Sequence, residues 1–392
     1  MKPLLVLLLC FCLVNCKKNS GEHLGQPEII SFMQHTDTTG ATVVIVGKNF
    51  SKYPSNNKVT FNTADTPAFY SANDTLLVRV PASATTGLIK VTVYSQSAIS
   101  TDTFYVGTGR WRKMADFPGG ARLGAIGFSI GNKGYISLGV GETQSYNDLW
   151  EYDMTSDSWT RKADFPGLPL NDAACFIIQG QAYVGCGQSN VYPYTSPAFY
   201  VYNPQTDTWT QKADINFGGA IPNLRSLSLV VGGKGYLVSN PGWNKIIEYD
   251  PALDQWTEKG DFPGGGRLYA AGFTIGDKGY LVGGGAGNAG NPQGDCWVYD
   301  TAADQWTSKA APPPLYDDVG FAINGKGYVG NDFFFQRLFL EYDPAADRWN
   351  YKAPFPGLAS GDAVSFVIND TAFVAVGKTS NSVVGEVWRF VP

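Results

Sequence analysis

The chain has 392 residues, 44% hydrophobic and only 16% charged, with a net charge of −5, 46 glycines and 23 prolines. Low charge beside abundant glycine and aromatic residues suits many short strands joined by tight turns. No basic run exceeds Lys17-Lys18, so nucleic acid is not expected as a partner, because phosphate backbones are gripped by clustered Lys and Arg.

At the N-terminus, Lys2 precedes an apolar stretch over residues 4–14. This has the form of an export leader and is too short to cross a bilayer. It ends Leu13-Val14-Asn15-Cys16, which resembles a bacterial lipobox, although Asn15 stands where a small residue is usual. The resemblance implies cleavage before Cys16, a lipid on that cysteine, and attachment to the bacterial outer membrane or cell surface. The alternative is a plain leader in which Cys16, like Cys10 and Cys12, is incidental. Residues 17–26 are polar and aperiodic and read as a flexible tether.

Residues 27–107 contain short strand-like runs at roughly ten-residue spacing, at 27–32, 40–47, 58–61, 76–80, 87–94 and 103–106. That pattern fits a small β-sandwich. Val44-Ile-Val-Gly-Lys-Asn-Phe50, Val59-Thr-Phe-Asn62, Val80-Pro81 and Thr86-Gly87 with Val91-Thr-Val93 resemble an IPT/TIG domain, an immunoglobulin-like module. The resemblance implies a spacer or interaction unit without catalytic residues. Gly107-Thr-Gly109 reads as the hinge between this unit and the C-terminal part of the chain.

From residue 108 to 392 one pattern returns. Trp111-Arg-Lys-Met-Ala-Asp-Phe-Pro-Gly is echoed from Trp159, Trp209, Trp256, Trp306 and Trp349. Repeats of 43 to 50 residues with four short strands each predict a β-propeller. In the first repeat the inner strand covers 125–130, the second begins at Tyr135, the third covers 148–153, and the outer strand starts at Trp159. Lys-Gly-Tyr recurs in the first hairpin, and Tyr-Asp followed by Trp in the second. The array opens with an outer strand at Trp111 and stops after a third strand at 386–392. Closure is therefore expected by laying the Trp111 strand on the C-terminal sheet, giving six blades and no orphan edge. The arginine before the inner strand, Gly279-Tyr280 with Gly283-Gly284, Tyr-Asp, and the following Trp resemble kelch repeats over 109–392. The glycine pair is degraded at Gly185-Cys186-Gly187, Val238-Ser239, Gly330 and Gly377. The fold class expected is all-β, a sandwich followed by a six-bladed propeller.

Loops after the second strands and connections between blades should share one variable face, where repeat proteins usually bind. Residues leading into the inner strands are expected to ring the channel mouth: Arg122, Asn171-Asp172, Arg225, Arg267, Asp317-Asp318 and Asp362. Arginine suits bidentate grip of a carboxylate and aspartate accepts hydroxyls. The same groups could instead pair with one another and hold blades together. Loops after the second strands supply the rim aromatics Tyr146, Tyr192, Tyr194, Trp243 and Phe334, suited to a sugar face or a protein contact, or simply to loop packing.

Catalysis has less support. His23 and His35 are the only histidines, and neither falls in the propeller. The copper chemistry of galactose oxidase, a kelch-fold enzyme, uses histidines, so it is disfavoured here; no cofactor or metal site is expected. Aspartates flanking the second hairpins fit turn capping better than calcium. Cys175 and Cys186 would face each other if the turn were Gly180-Gln181, as a cross-strand bridge or as two buried thiols. The first functional reading is a non-catalytic module binding a glycan or an envelope or surface protein. The alternative is an enzyme resembling sialate mutarotase, acting on an acidic sugar at the channel mouth.

Overall fold

The computed structural model describes residues 24–216, 226–240, 243–286, 291–316, 319–330, 337–359 and 361–392, the side chains of 239, 240, 243 and 286 excepted. The chain divides into two compact units. One holds the residues up to His35 with Thr39–Phe104, and the other holds Thr36–Thr38 with Tyr105–Pro392.

The first unit is a β-sandwich. One sheet is built on Glu28–Met33, Thr42–Lys48 and Thr75–Arg79, the other on Asn57–Phe61, Gly87–Val93 and the strand from Gln96. Alternate residues Val43 and Ile45, Leu76 and Val78, and Ile89 and Val91 are wholly buried, the period-two signature of sheets facing one core. The Phe104 ring packs edge-on against Phe32 and Phe61 in that core. The strand Ala64–Ser71 is not anticipated by the sequence, because Pro67 interrupts it. It is shared: its first half pairs with Asn57–Phe61 and its second with Thr75–Arg79. Pro67 sits where the strand leaves one sheet for the other, a place that tolerates a missing donor.

The second unit is a six-bladed propeller. Its inner strands, from Ile126, Ala174, Leu227, Ala271, Val319 and Val364, adjoin in ring order. Each of the first five blades is a four-stranded antiparallel meander. The sixth joins Val364–Ile368, Thr371–Ala375 and Val387–Val391 to Arg110–Lys113, with Phe390 opposite Trp111. The ring is thus closed as expected, by both ends of the repeat array in one sheet.

The recurring motif is a staple between blades. The Trp209 indole donates to the Ala163 carbonyl at 2.9 Å, and Trp256 and Trp349 do the same to Ala213 and Ala310. In return the Ala163, Ala213 and Ala310 amides donate to Asp207, Asp254 and Asp347 of the next blade. Those aspartates also accept a hydrogen bond from Tyr202, Tyr249 and Tyr342 of their own blade. So Lys-Ala-Asp, Tyr-Asp and Trp recur together because they are parts of one contact. The exception is informative: Gly260 replaces the alanine, and the Trp306 indole N–H is left buried without a partner.

The glycine of Lys-Gly-Tyr has a packing reason. A Cβ on Gly134 would lie 2.2 Å from Phe366, and one on Gly327 2.1 Å from Phe273, both on the preceding blade. The degraded glycine pair also keeps its backbone. Leu138, Cys186 and Val376 replace the first glycine yet hold φ of 62°, 53° and 51°, against 63° at Gly283. All three side chains are buried, and that burial offsets a left-handed conformation costing about 1–2 kcal/mol.

Candidate functional site: the channel mouth and the loop face

Of the six positions expected at the channel mouth, the four described separate into two registers. Arg122 and Arg267 lie four residues before their inner strands, whereas Asp172 and Asp362 lie two before theirs. The two-residue difference decides what each can do.

Arg122 is wholly buried inside the first blade rather than displayed at the mouth. Its guanidinium grips Asp148 through two nitrogens at 2.5 and 3.0 Å and donates to the carbonyls of Leu138, Gly119 and Gly120. The Tyr146 ring covers it at 3.7 Å and Phe117 lies at 4.8 Å. Asp148 also accepts from the Trp150 indole at 2.7 Å. Arg267 repeats the arrangement with Asp295 at 2.6 Å, the carbonyls of Gly283 and Gly264, the Phe262 ring, and Trp297 on the same carboxylate. Both arginines are therefore committed to ion pairs within their blades. Tyr146 belongs to this packing as the lid on Arg122. A buried guanidinium is held only with its charge matched and its donors satisfied, and for Arg122 Asp148 and the three carbonyls meet both conditions within the blade.

Asp172 and Asp362 do reach the channel. They line a cavity of about 310 Å³ at the centre of the ring, with Tyr269, Ser226 and Gly124. Asp172 accepts a hydrogen bond from Asn171 at 2.9 Å, and Lys378 pairs with Asp362 at 2.5 Å. Asp172, Tyr269 and Asp362 occupy one position of successive alternate blades and share φ of 55°, 60° and 51°. The lining also includes small residues, Gly127, Cys175, Ser228, Gly272, Gly320 and Ser365, beside Ile126, Leu227, Val319 and Val364. The small side chains leave room for six inner strands to converge.

Tyr269 and Lys378 were missed from sequence. The signal is present in the sequence, since Tyr269 occupies the register of Asp172 and Asp362, but Arg267 two residues earlier is the more conspicuous residue. Arg225 and Asp318 lie outside the described residues, as do Cys16, Phe334 and the side chain of Trp243.

On the loop face, Tyr192 and Tyr194 are 80% and 62% exposed, beside Val191 at 51%. The loop is nonetheless held. The Ser189 amide donates to the Tyr194 carbonyl, the Tyr194 amide donates to Val191, and the Asn190 side-chain amide donates to Ser145 of the neighbouring blade. The two rings meet edge-to-face at 5.9 Å.

The cysteine pair does not meet. The turn is Gln179-Gly180, with Ile178 opposite Gln181, so Cys175 faces Val184. Cys175, Cys186 and Cys296 are free thiols. Burial pushes the Cys175 thiol up to about 12, so it is protonated and a poor nucleophile at neutral pH. Among the described residues no group of three or more His, Cys, Asp or Glu gathers as metal ligands would. The flanking aspartates cap turns: Asp153 accepts from the Thr155 and Ser156 amides.

Residues 27–106 match the family model of the IPT/TIG domain, and residues 266–313 match that of the Kelch motif. No curated protein matches the chain. Among solved structures, that of YjhT is similar at 18% identity with a TM-score of 0.58, covering 70% of this chain and 95% of that one; at this identity the likeness concerns the fold. The chain carries an IPT/TIG domain followed by a six-bladed β-propeller that contains a kelch motif.

Proposed function

We propose that this protein is a cell-envelope binding module, lipid-anchored through Cys16, whose variable loop face takes a glycan or a surface protein. The observation that carries the reading is the Val191-Tyr192-Tyr194 loop, which keeps two aromatic rings and a valine in solvent on a hydrogen-bonded frame. Exposed rings held in place lose little entropy on binding and are typical anchors of recognition surfaces. An acidic-sugar enzyme is less well supported, because Arg122 and Arg267, two of the arginines such a reading enlists, are committed to Asp148 and Asp295.

The test is a glycan array of neutral and sialylated sugars together with pull-down from the native envelope, each with wild type and with Tyr192→Ala/Tyr194→Ala. A saturable partner lost in the double variant, with its thermal melt unchanged, is the expected result. Anomer exchange on sialic acid by the wild type, unaffected by the double variant, would replace this reading with the enzymatic one.

A further inference from the structure

We propose that the outer half of the sixth blade carries an oxyanion site, separate from the rim and from the channel, in which Arg110, Arg112 and Arg389 hold one phosphate group. The inference does not depend on the rim reading.

Placement is the first argument. Where Val387–Val391 pairs with Arg110–Lys113, Arg389 stands directly opposite Arg112, and Arg110 stands opposite Val391. Residues directly opposite share a face of the sheet, as do residues two apart on one strand, so the three arginine stems rise from one face about 5–7 Å apart at their bases. It is the face turned to the first blade, since Phe373, opposite Arg389, packs on Tyr152 at a centroid distance of 5.3 Å.

The contrast with the other blades is the second. They put Glu151, Val201, Glu248, Val298 and Glu341 where the sixth has Arg389, and Thr or Asn where it has Arg112. The glutamates take the hydroxyls of Tyr135, Tyr236 and Tyr328, whereas Phe373 has no hydroxyl. In the fifth blade Arg348 is answered across the strands by Asp343, but Arg110 meets only Val391. Like charges set directly opposite destabilise a sheet. Arg389 against Arg112 is therefore a costly choice for packing alone, which threonine serves elsewhere.

Unanswered charge is the third argument. Among the described residues none of the three arginines forms an ion pair, and the Nε of Arg389 is buried without a hydrogen-bond partner. Asp157 of the first blade is already held by the Tyr152 hydroxyl at 2.7 Å and the Ala115 amide at 3.0 Å. Lys113, on the other face, takes Asp116 and Glu386. Arg110 and Arg112 are exposed, so a solute can reach them. Guanidinium forks match phosphate oxygens two at a time, and a phosphate monoester offers three oxygens and nearly two charges. A carboxylate fills only one fork. Three cations at one spot suit a single group rather than the phosphate track of a nucleic acid. That group can come free in solution or on the head of a lipid.

The experiment is a calorimetric titration of the purified full-length protein in chloride buffer with inorganic phosphate, and with acetate for comparison. Phosphate should saturate and acetate should not. Arg389→Gln should weaken phosphate about tenfold or more, the equivalent of roughly 1.4 kcal/mol. Arg112→Thr, which restores the residue of the other blades, should weaken it too, whereas Arg161→Thr on the first blade and Tyr192→Ala/Tyr194→Ala on the rim should leave it unchanged. If Arg389→Gln does not fold, Arg112→Thr decides. Co-flotation with phosphatidylcholine vesicles, with and without phosphatidic acid, separates the sources. Capture that needs phosphatidic acid and is lost in Arg112→Thr assigns the site to a lipid head group, and phosphate binding without such capture assigns it to a free phosphate. The proposal is overturned if phosphate does not saturate, if acetate binds as tightly, or if both Arg389→Gln and Arg112→Thr bind like wild type. Because the rim variant keeps all three arginines, failure here and failure of the rim reading are told apart.

Discussion

The first and second blades fill the same position with opposite chemistry. Four residues before the inner strand the first blade has Arg122 and the second has Leu170; four residues before the third-strand tyrosines Tyr152 and Tyr202 the partners are Asp148 and Ala198. Arg122 and Leu170 are both buried, at 0% and 1% exposure. The fourth and fifth blades repeat the contrast, with Arg267 and Asp295 in one and Leu315 and Leu338 in the other. One packing slot under the loop face thus accepts a matched ion pair or a matched apolar pair. The arginine is a blade component, and its charge tells little about a ligand.

The sixth blade takes the comparison furthest, because its sheet exists only if the two ends of the propeller meet. Deleting residues 386–392 removes the partner of Arg110–Lys113 and the Phe390 ring that packs on Trp111. We expect the propeller to lose its cooperative thermal transition in calorimetry, whereas a normal transition would refute closure as the source of the ring's stability.

Within the first blade, Arg122→Leu alone should cost about 3–5 kcal/mol in denaturant unfolding, because it leaves Asp148 buried and unmatched. Adding Asp148→Ala converts the slot to its second-blade form and should recover a large part of that loss. If the double variant is no more stable than the single, the two slots are not equivalent and the comparison fails.

Gly327→Ala should cost about 1–3 kcal/mol through overpacking against Phe273. The equivalent positions in the second and sixth blades are Ala182 and Ala372, so Ala182→Gly should be much milder. Equal effects at the two sites would break the blade-by-blade account.

The smallest effect concerns acid. A hydrogen bond from Lys133 holds Asp153 down at about 2, and Lys234, Lys278 and Lys326 likewise lower Asp250, Asp300 and Asp343. Carboxylates with depressed folded-state values contribute stability above their ordinary pKa and lose it as pH falls through the folded value. Stability should therefore decline from about pH 4 toward pH 2. Lys133→Met should raise the titration of Asp153 toward its ordinary value, visible by NMR, with little change at neutral pH, as expected for exposed pairs.

Much of the architecture was legible along the chain. Trp111 to Trp349 set the repeat, the unmatched strand at Trp111 and the unmatched sheet at 386–392 named the closure, and Val44–Phe50 marked the sandwich. These are local and periodic signals, and a propeller is largely a sum of such units. Ala64–Ser71 was not legible, because Pro67 reads as a break in a strand and only its two partner sheets make it a crossing. Nor could the Cys175–Cys186 relation be read, since it turned on a one-residue choice of turn.

What the sequence determined by itself was the identity and order of the folded parts: a sandwich, then six blades, with no histidine in the ring. The tertiary structure decided which side chains those parts present. Arg122 and Asp172 look alike on paper, both polar and both just ahead of an inner strand. Two residues of offset place one inside a blade against Asp148 and the other at the channel with Tyr269 and Asp362. The alternation of a chain entering a strand is settled by register and burial across neighbouring blades, and that information is not carried by any single repeat.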